Sequence, residues 1–209
     1  MTLHLPDGAT VMFTGDSITD CQRGVTEHGL GWGYPRLVAG GHGAKRPTSG
    51  ITWLNTGISG NRVSDLLVRW DEEVLAPKPD VLSVLVGIND CGRRFSGTGE
   101  EVSEADYRAG YHDLLERALA AGVGSLVLIE PFLLPIDGSG QRQWREDLDP
   151  KIQVVRDLAK EFGAHLLAAD GMYAQLSATT GPEPWAADGV HPTAAGHWAL
   201  AQAWLGLVS

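Results

Sequence analysis

Short apolar runs alternate with longer amphipathic ones along this chain. The apolar runs are residues 10–14, 51–55, 81–86, 125–129 and 165–169. Each is too short for a helix and rich in aliphatic or β-branched residues, so each is predicted as a strand. The third is apolar at nearly every position, as expected of a strand covered on both faces. Between the runs, apolar residues recur at helical spacing. A helix over 63–75 would follow Gly60 and Asn61 and bury Leu66, Leu67 and Trp70. Another over 104–121 carries Tyr107, Tyr111, Leu114, Leu115 and Leu119 and stops at Gly122. The next is predicted to start with Asp149 as N-cap and Pro150 at the first helical position, to carry Ile152, Val155, Leu158 and Ala159, and to stop at Gly163. The last covers 193–207 behind Thr193 as N-cap. A shorter helix is expected over 31–41, with surface loops at 96–100 and 137–140. Strands alternating with helices predict an α/β fold with one parallel sheet flanked by helices. Such sheets bind ligands beyond the C-terminal ends of their strands.

Composition narrows the picture. The chain has 209 residues, which suits one domain over 1–209 and can bury a sizeable core. Hydrophobic residues make up 43% and charged residues 20%, so disorder is not expected. The net charge of −10 argues against a nucleic-acid-binding face, which needs clustered Lys and Arg. Cys21 and Cys91 are not spaced as zinc ligands, and no metal or other cofactor is expected. No cationic stretch leads into a long apolar run at the start, and no 18-residue apolar segment occurs. The expectation is a cytoplasmic protein with free thiols and no membrane span.

Four segments at strand ends or in loops carry chemistry. They are Gly15-Asp16-Ser17-Ile18-Thr19, Gly57-Ile58-Ser59-Gly60-Asn61, Gly87-Ile88-Asn89-Asp90 and Asp188-Gly189-Val190-His191-Pro192. A serine hydroxyl is a weak nucleophile and needs a base beside it. His191 can be that base for Ser17, and Asp188 can hold the other imidazole nitrogen and fix its tautomer. A tetrahedral intermediate also needs donors aimed at its oxyanion. The backbone N–H groups of Ser17 and Gly60 and the side-chain amide of Asn89 can supply three.

These four segments resemble, in identity and order, the blocks of the SGNH, or GDSL, hydrolases. That resemblance spans residues 15–192. It implies a three-layer α/β/α sandwich with a five-stranded parallel sheet in flavodoxin-like order 2-1-3-4-5, and hydrolysis of esters or thioesters without a metal. With Arg69-Trp70 and Val190-His191-Pro192 included, the chain looks like the intracellular acetylxylan esterases of this family. These remove acetyl groups from xylo-oligosaccharides. The resemblance also leans toward a homo-oligomer. Two positions differ from that group. Trp185 lies three residues before Asp188 rather than directly before it, and Cys91-Gly92 replaces bulkier residues.

The expected partner is a small ester, an acetylated carbohydrate first among them. Two rivals stand beside it: a lipid-like acyl ester or thioester, and a non-catalytic sugar-binding module. Asp16, Trp32, Arg93 and Trp185 are the candidate substrate contacts. Asp16 also reads as a loop-bonding residue, and Asp90 as a turn or cap residue. Trp70 reads as core. Asp170 competes with Asp188 as the acid but most simply caps a turn. His4, His28, His42, His112 and His165 are expected at the surface or at strand ends, and His197 in helix packing.

Overall fold

The computed structural model describes residues 2–95 and 101–208, so the loop expected at 96–100 lies outside the described residues. The described strands are β1 (Thr10–Gly15), β2 (Thr52–Asn55), β3 (Val81–Leu85), β4 (Ser125–Ile129) and β5 (His165–Leu167). They pair in parallel in the order β2-β1-β3-β4-β5. All five coincide with the apolar runs of the sequence, within two residues at each end.

The helices are α1 (Ser17–Asp20), α2 (Tyr34–Lys45), α3 (Val63–Arg69), α4 (Ile88–Phe95), α5 (Glu104–Ala120), α6 (Arg145–Glu161), α7 (Ala169–Thr180) and α8 (Ala194–Leu205). Alternation along the strands sorts the core into two layers. Val11, Phe13, Val127 and Ile129 face Tyr34 and Val38 of α2 and Leu200 and Trp204 of α8. Met12, Leu82, Val84, Leu126 and Leu128 face Leu66 of α3, Tyr107, Tyr111 and Leu114 of α5, and Val155 and Leu158 of α6. Trp70 is fully buried in the second layer, and its Nε1 donates to the Leu114 carbonyl at 3.0 Å.

The structure corrects several expectations. The helix near 31–41 is α2, which begins at Tyr34, one residue before Pro35, and runs to Lys45. The helix expected from Asp149 begins a turn earlier, at Arg145, and carries Pro150 inside it. Proline leaves the carbonyl four residues back without its helical donor. That residue, Glu146, is exposed, so water can serve it. Arg145 anchors the earlier start by pairing with Asp149 at 2.7 Å and with both carboxylate oxygens of Asp170 at 2.7 and 2.8 Å. Asp170 is therefore the partner of Arg145, not a simple turn cap. The helix expected to run to 75 is α-helical only to Arg69, and Trp70–Leu75 widens into a π-helix. Helix α7 was not expected at all. His42 is buried in α2, edge-on to Trp53 at 5.5 Å, not at the surface. Burial, together with the charge of Arg46, holds its imidazole below the usual range.

Candidate active site

The loops after β1, β2 and β3 meet at one end of the sheet, and the segment before α8 closes over them. Asp16 is the N-cap of α1, and its Oδ1 accepts the Ile18 N–H at 3.0 Å. Ser17 is the first residue of that helix, so its own N–H has no intrahelical partner and stays available. Asp16 itself is buried rather than on a cleft wall. Burial pushes its carboxyl up to about 7; the Ile18 N–H opposes this, and the nearby charge of Asp90 adds to it.

Ser17 Oγ lies 2.9 Å from His191 Nε2, and His191 Nδ1 lies 2.6 Å from Asp188 Oδ2. A carboxylate only accepts, so Nδ1 carries the proton and the lone pair of Nε2 faces Ser17. Asp188 Oδ1 also accepts the N–H groups of Val190 at 2.9 Å and His191 at 2.7 Å. Partial burial pulls this carboxyl up, but the hydrogen bonds from His191 and Val190 outweigh it and hold it below the usual range. Asp188 thus stays ionised, as a group that fixes an imidazole tautomer must.

Gly60 stands third in a turn closed by the Asn61 N–H on the Ile58 carbonyl at 3.1 Å. Its φ of +84° is the left-handed value that this turn position demands, and a Cβ there would meet open space. Asn89 stands in the first turn of α4, where its Nδ2 donates to the Asn61 carbonyl at 3.1 Å. Asp90 is buried behind it and accepts the Val63 N–H at 3.2 and 3.4 Å. Burial pushes the Asp90 carboxyl up to about 6, against the pull of the Val63 N–H and of Lys151. The structure thus joins Ser17, His191 and Asp188 in one hydrogen-bonded line and ties Asn89 to the turn that holds Gly60.

Beside them lies an open cleft of about 500 Å³, lined by Asn89, His191, Gly92, Arg93, Gln141 and Trp144 among others. That volume suits a small organic ligand. Arg93 reaches the cleft as expected. Trp32 instead lines a separate hollow of about 230 Å³, with the Arg36 guanidinium 4.5 Å from its ring centroid. Trp185 is outside the cleft lining, and its Nε1 donates to Thr180 Oγ1 at 2.8 Å. The sequence reading missed Gln141 and Trp144. Gln141 Nε2 donates to the Asp188 carbonyl at 2.8 Å, and Trp144 stacks on Phe95 with ring centroids 5.8 Å apart. Both sit in the stretch 130–144 between β4 and α6. A connection that long in a compact fold is itself a signal of function.

Cys91 is buried and leans on the Trp144 carbonyl at 3.3 Å; burial, then the charge of Asp147, pushes its thiol up to about 12. His197 accepts the Tyr34 N–H on Nδ1 at 3.2 Å and lies 3.6 Å from Cys21 Sγ, which makes it a packing residue of α8. Burial first, and the charge of His191 second, pull its imidazole down to about 4. Among the described residues no group of three or more His, Cys, Asp or Glu side chains is placed to hold a metal ion, and no helix is long and apolar enough to cross a membrane.

Residues 13–199 match the model of the GDSL-like lipase/acylhydrolase family. The chain is 36% identical over 213 residues to an acetylxylan esterase of Geobacillus stearothermophilus, covering 97% of this chain and 95% of that protein. A crystal structure of the Geobacillus stearothermophilus acetylxylan esterase superposes with a TM-score of 0.88 at 35% identity, over 97% of this chain and 94% of that one. An alpha/beta hydrolase enzyme from the metagenome of Lake Arreo, Spain, superposes with a TM-score of 0.88 at 28% identity, over 97% and 96% of the two chains.

Proposed function

Since the chain belongs to the GDSL-like lipase/acylhydrolase family, we propose that it is a serine esterase that removes acetyl groups from xylo-oligosaccharides or related sugars. The observation that carries this reading is the unbroken line Ser17–His191–Asp188, at 2.9 and 2.6 Å, in a chain so similar to an acetylxylan esterase.

Each group has one task. Ser17 Oγ attacks the acyl carbonyl while His191 Nε2 takes its proton. The oxyanion that forms is held by the N–H groups of Ser17 and Gly60 and by Asn89 Nδ2. As the carbonyl re-forms, the sugar oxygen leaves and takes the proton back from Nε2. Water then enters the same place and gives a proton to His191 as it attacks the acyl carbon; the acyl–Oγ bond breaks, His191 returns the proton to Ser17 Oγ, and acetic acid leaves. The leaving oxygen must come within hydrogen-bond reach of His191. The sugar therefore lies on the His191 side, where the cleft opens toward Trp144 and Arg93. An acetyl group needs little room, so a cleft of about 500 Å³ serves the alcohol half of the substrate.

The test is a panel of acetylated xylo-oligosaccharides and p-nitrophenyl acetate, butyrate and octanoate, assayed on wild type and Ser17→Ala. Rates that fall from acetate to octanoate, with release of acetate from the sugars, support the reading. Rising rates with chain length point to a lipid-like acyl substrate and overturn it.

A further inference from the structure

Arg69 has no part in the chemistry above, yet its side chain is only 10% exposed. Burying a guanidinium is unfavourable unless hydrogen bonds and charges compensate. Its Nη1 reaches Glu73 at 3.1 Å, and its Nη2 is buried without a hydrogen-bond partner among the described residues. Its shortest contact runs elsewhere: Nε donates to Asn61 Oδ1 at 2.8 Å. Burial holds this guanidinium below the usual arginine range.

The helix widens just at this point. Arg69 has φ −108° and ψ 4°, and the π-helix starts at the next residue. Trp70 goes into the core while Arg69, its neighbour, reaches the loop that precedes α3.

Asn61 connects that loop to the reaction. Its side chain receives Arg69, and its backbone carbonyl receives Asn89 Nδ2 at 3.1 Å. A carboxamide has two N–H donors. One rests on Asn61, which fixes which end of the amide is nitrogen and leaves the other donor for the oxyanion. Gly60, the neighbouring donor, shares the same turn.

We propose that Arg69 is a positioning residue for the oxyanion hole, acting through Asn61 to hold the carbonyl that orients the Asn89 amide. The proposal rests on Asn89 being an oxyanion donor, so the experiment tests both. It measures kcat and KM on p-nitrophenyl acetate for Arg69→Met, Arg69→Lys, Asn61→Ala, Asn89→Ala and the double variant of Arg69→Met with Asn89→Ala. Asn89→Ala is expected to lower kcat about 10²- to 10³-fold, the usual loss for one oxyanion donor. Arg69→Met is expected to lower kcat about ten-fold with KM within about two-fold, and Arg69→Lys to recover part of the loss. In the Asn89→Ala background, Arg69→Met is expected to cost no more than about a further two-fold, because groups acting through one another are non-additive. Asn61→Ala combined with Asn89→Ala gives the same cycle should Arg69→Met fail to fold. Losses that multiply, or that fall on KM and thermal stability alone, overturn the proposal. An unchanged kcat in Asn89→Ala overturns the oxyanion assignment and the proposal with it.

Discussion

Gln141 donates from Nε2 to the backbone carbonyl of Asp188 at 2.8 Å, so the acid of the triad is held from outside its own loop. The next residue, Gly189, presses on the same side chain. Its φ is +83°, and a Cβ there would lie 2.6 Å from Gln141 Oε1 and 2.7 Å from the Leu134 carbonyl. Gly189→Ala is expected to displace Asp188 and to lower kcat more than Gln141→Ala, which should cost about ten-fold. Gly60→Ala is the contrast. It shares a positive φ of +84° but meets open space, so only the backbone penalty of about 1–2 kcal/mol remains. Steady-state kinetics and thermal unfolding of the three variants check the order.

Ser17→Ala is expected to lower kcat at least about 10⁴-fold. A serine-directed fluorophosphonate should add one adduct to wild type by intact-mass analysis and none to the variant. An equal adduct on both would place the nucleophile elsewhere.

Asp16 predicts an unusual pH dependence of stability. Its folded carboxyl is raised to about 7 from an ordinary value of 3.8. A raised carboxyl binds more protons in the folded state, so stability falls as pH rises through that window. Asp16→Asn removes this one contribution and keeps an oxygen for the Ile18 N–H. Urea unfolding at pH 5 and pH 8 should show wild type losing about 2–3 kcal/mol more than Asp16→Asn over that interval. A constant difference between the two proteins would show that Asp16 does not titrate there. The effect of His197 runs the other way, since its imidazole is lowered to about 4 and costs stability as pH falls from about 6.5.

Gly92 offers a test of the cleft. A Cβ at this position would sit 3.4 and 3.6 Å from the Trp144 ring, which is ordinary contact, and the helix gains from losing a glycine. Folding should therefore survive Gly92→Leu, while the added branches fill the space in front of Trp144. The variant is expected to lose at least about ten-fold in kcat/KM on acetylated xylo-oligosaccharides and to stay within about two-fold on ethyl acetate, whose alcohol does not reach that far. Equal losses on both esters would remove the cleft from the account of specificity.

The strands were legible because each is an uninterrupted apolar run, and the candidate site residues because they follow those runs or precede a capped helix. What was missed has physical causes. Helix α7 buries only Ala169 and Tyr173, so it shows no apolar stripe. Pro150 reads as a helix start because its missing N–H is harmless there, yet Arg145, paired with Asp170 far along the chain, moves the start forward. Asp16 was expected at the substrate because it adjoins Ser17, Trp32 as a pocket-wall aromatic, and Trp185 because the acetylxylan esterases that the chain resembles carry a Trp directly before the triad Asp. Side-chain direction sends them to the core, to a separate hollow and to Thr180. Gln141 and Trp144 left no periodic trace because they are the two ends of a single four-residue 3-10 turn, too short to show an apolar period.

The two ends of the proton-transfer pair are 174 residues apart in the chain. A ribosome therefore delivers Ser17 well before His191. At roughly 5–20 residues per second, the nascent chain carries an unactivated Ser17 for about 9–35 s before His191 is made. A fragment that ends before residue 191 lacks the base that the proposed reaction needs.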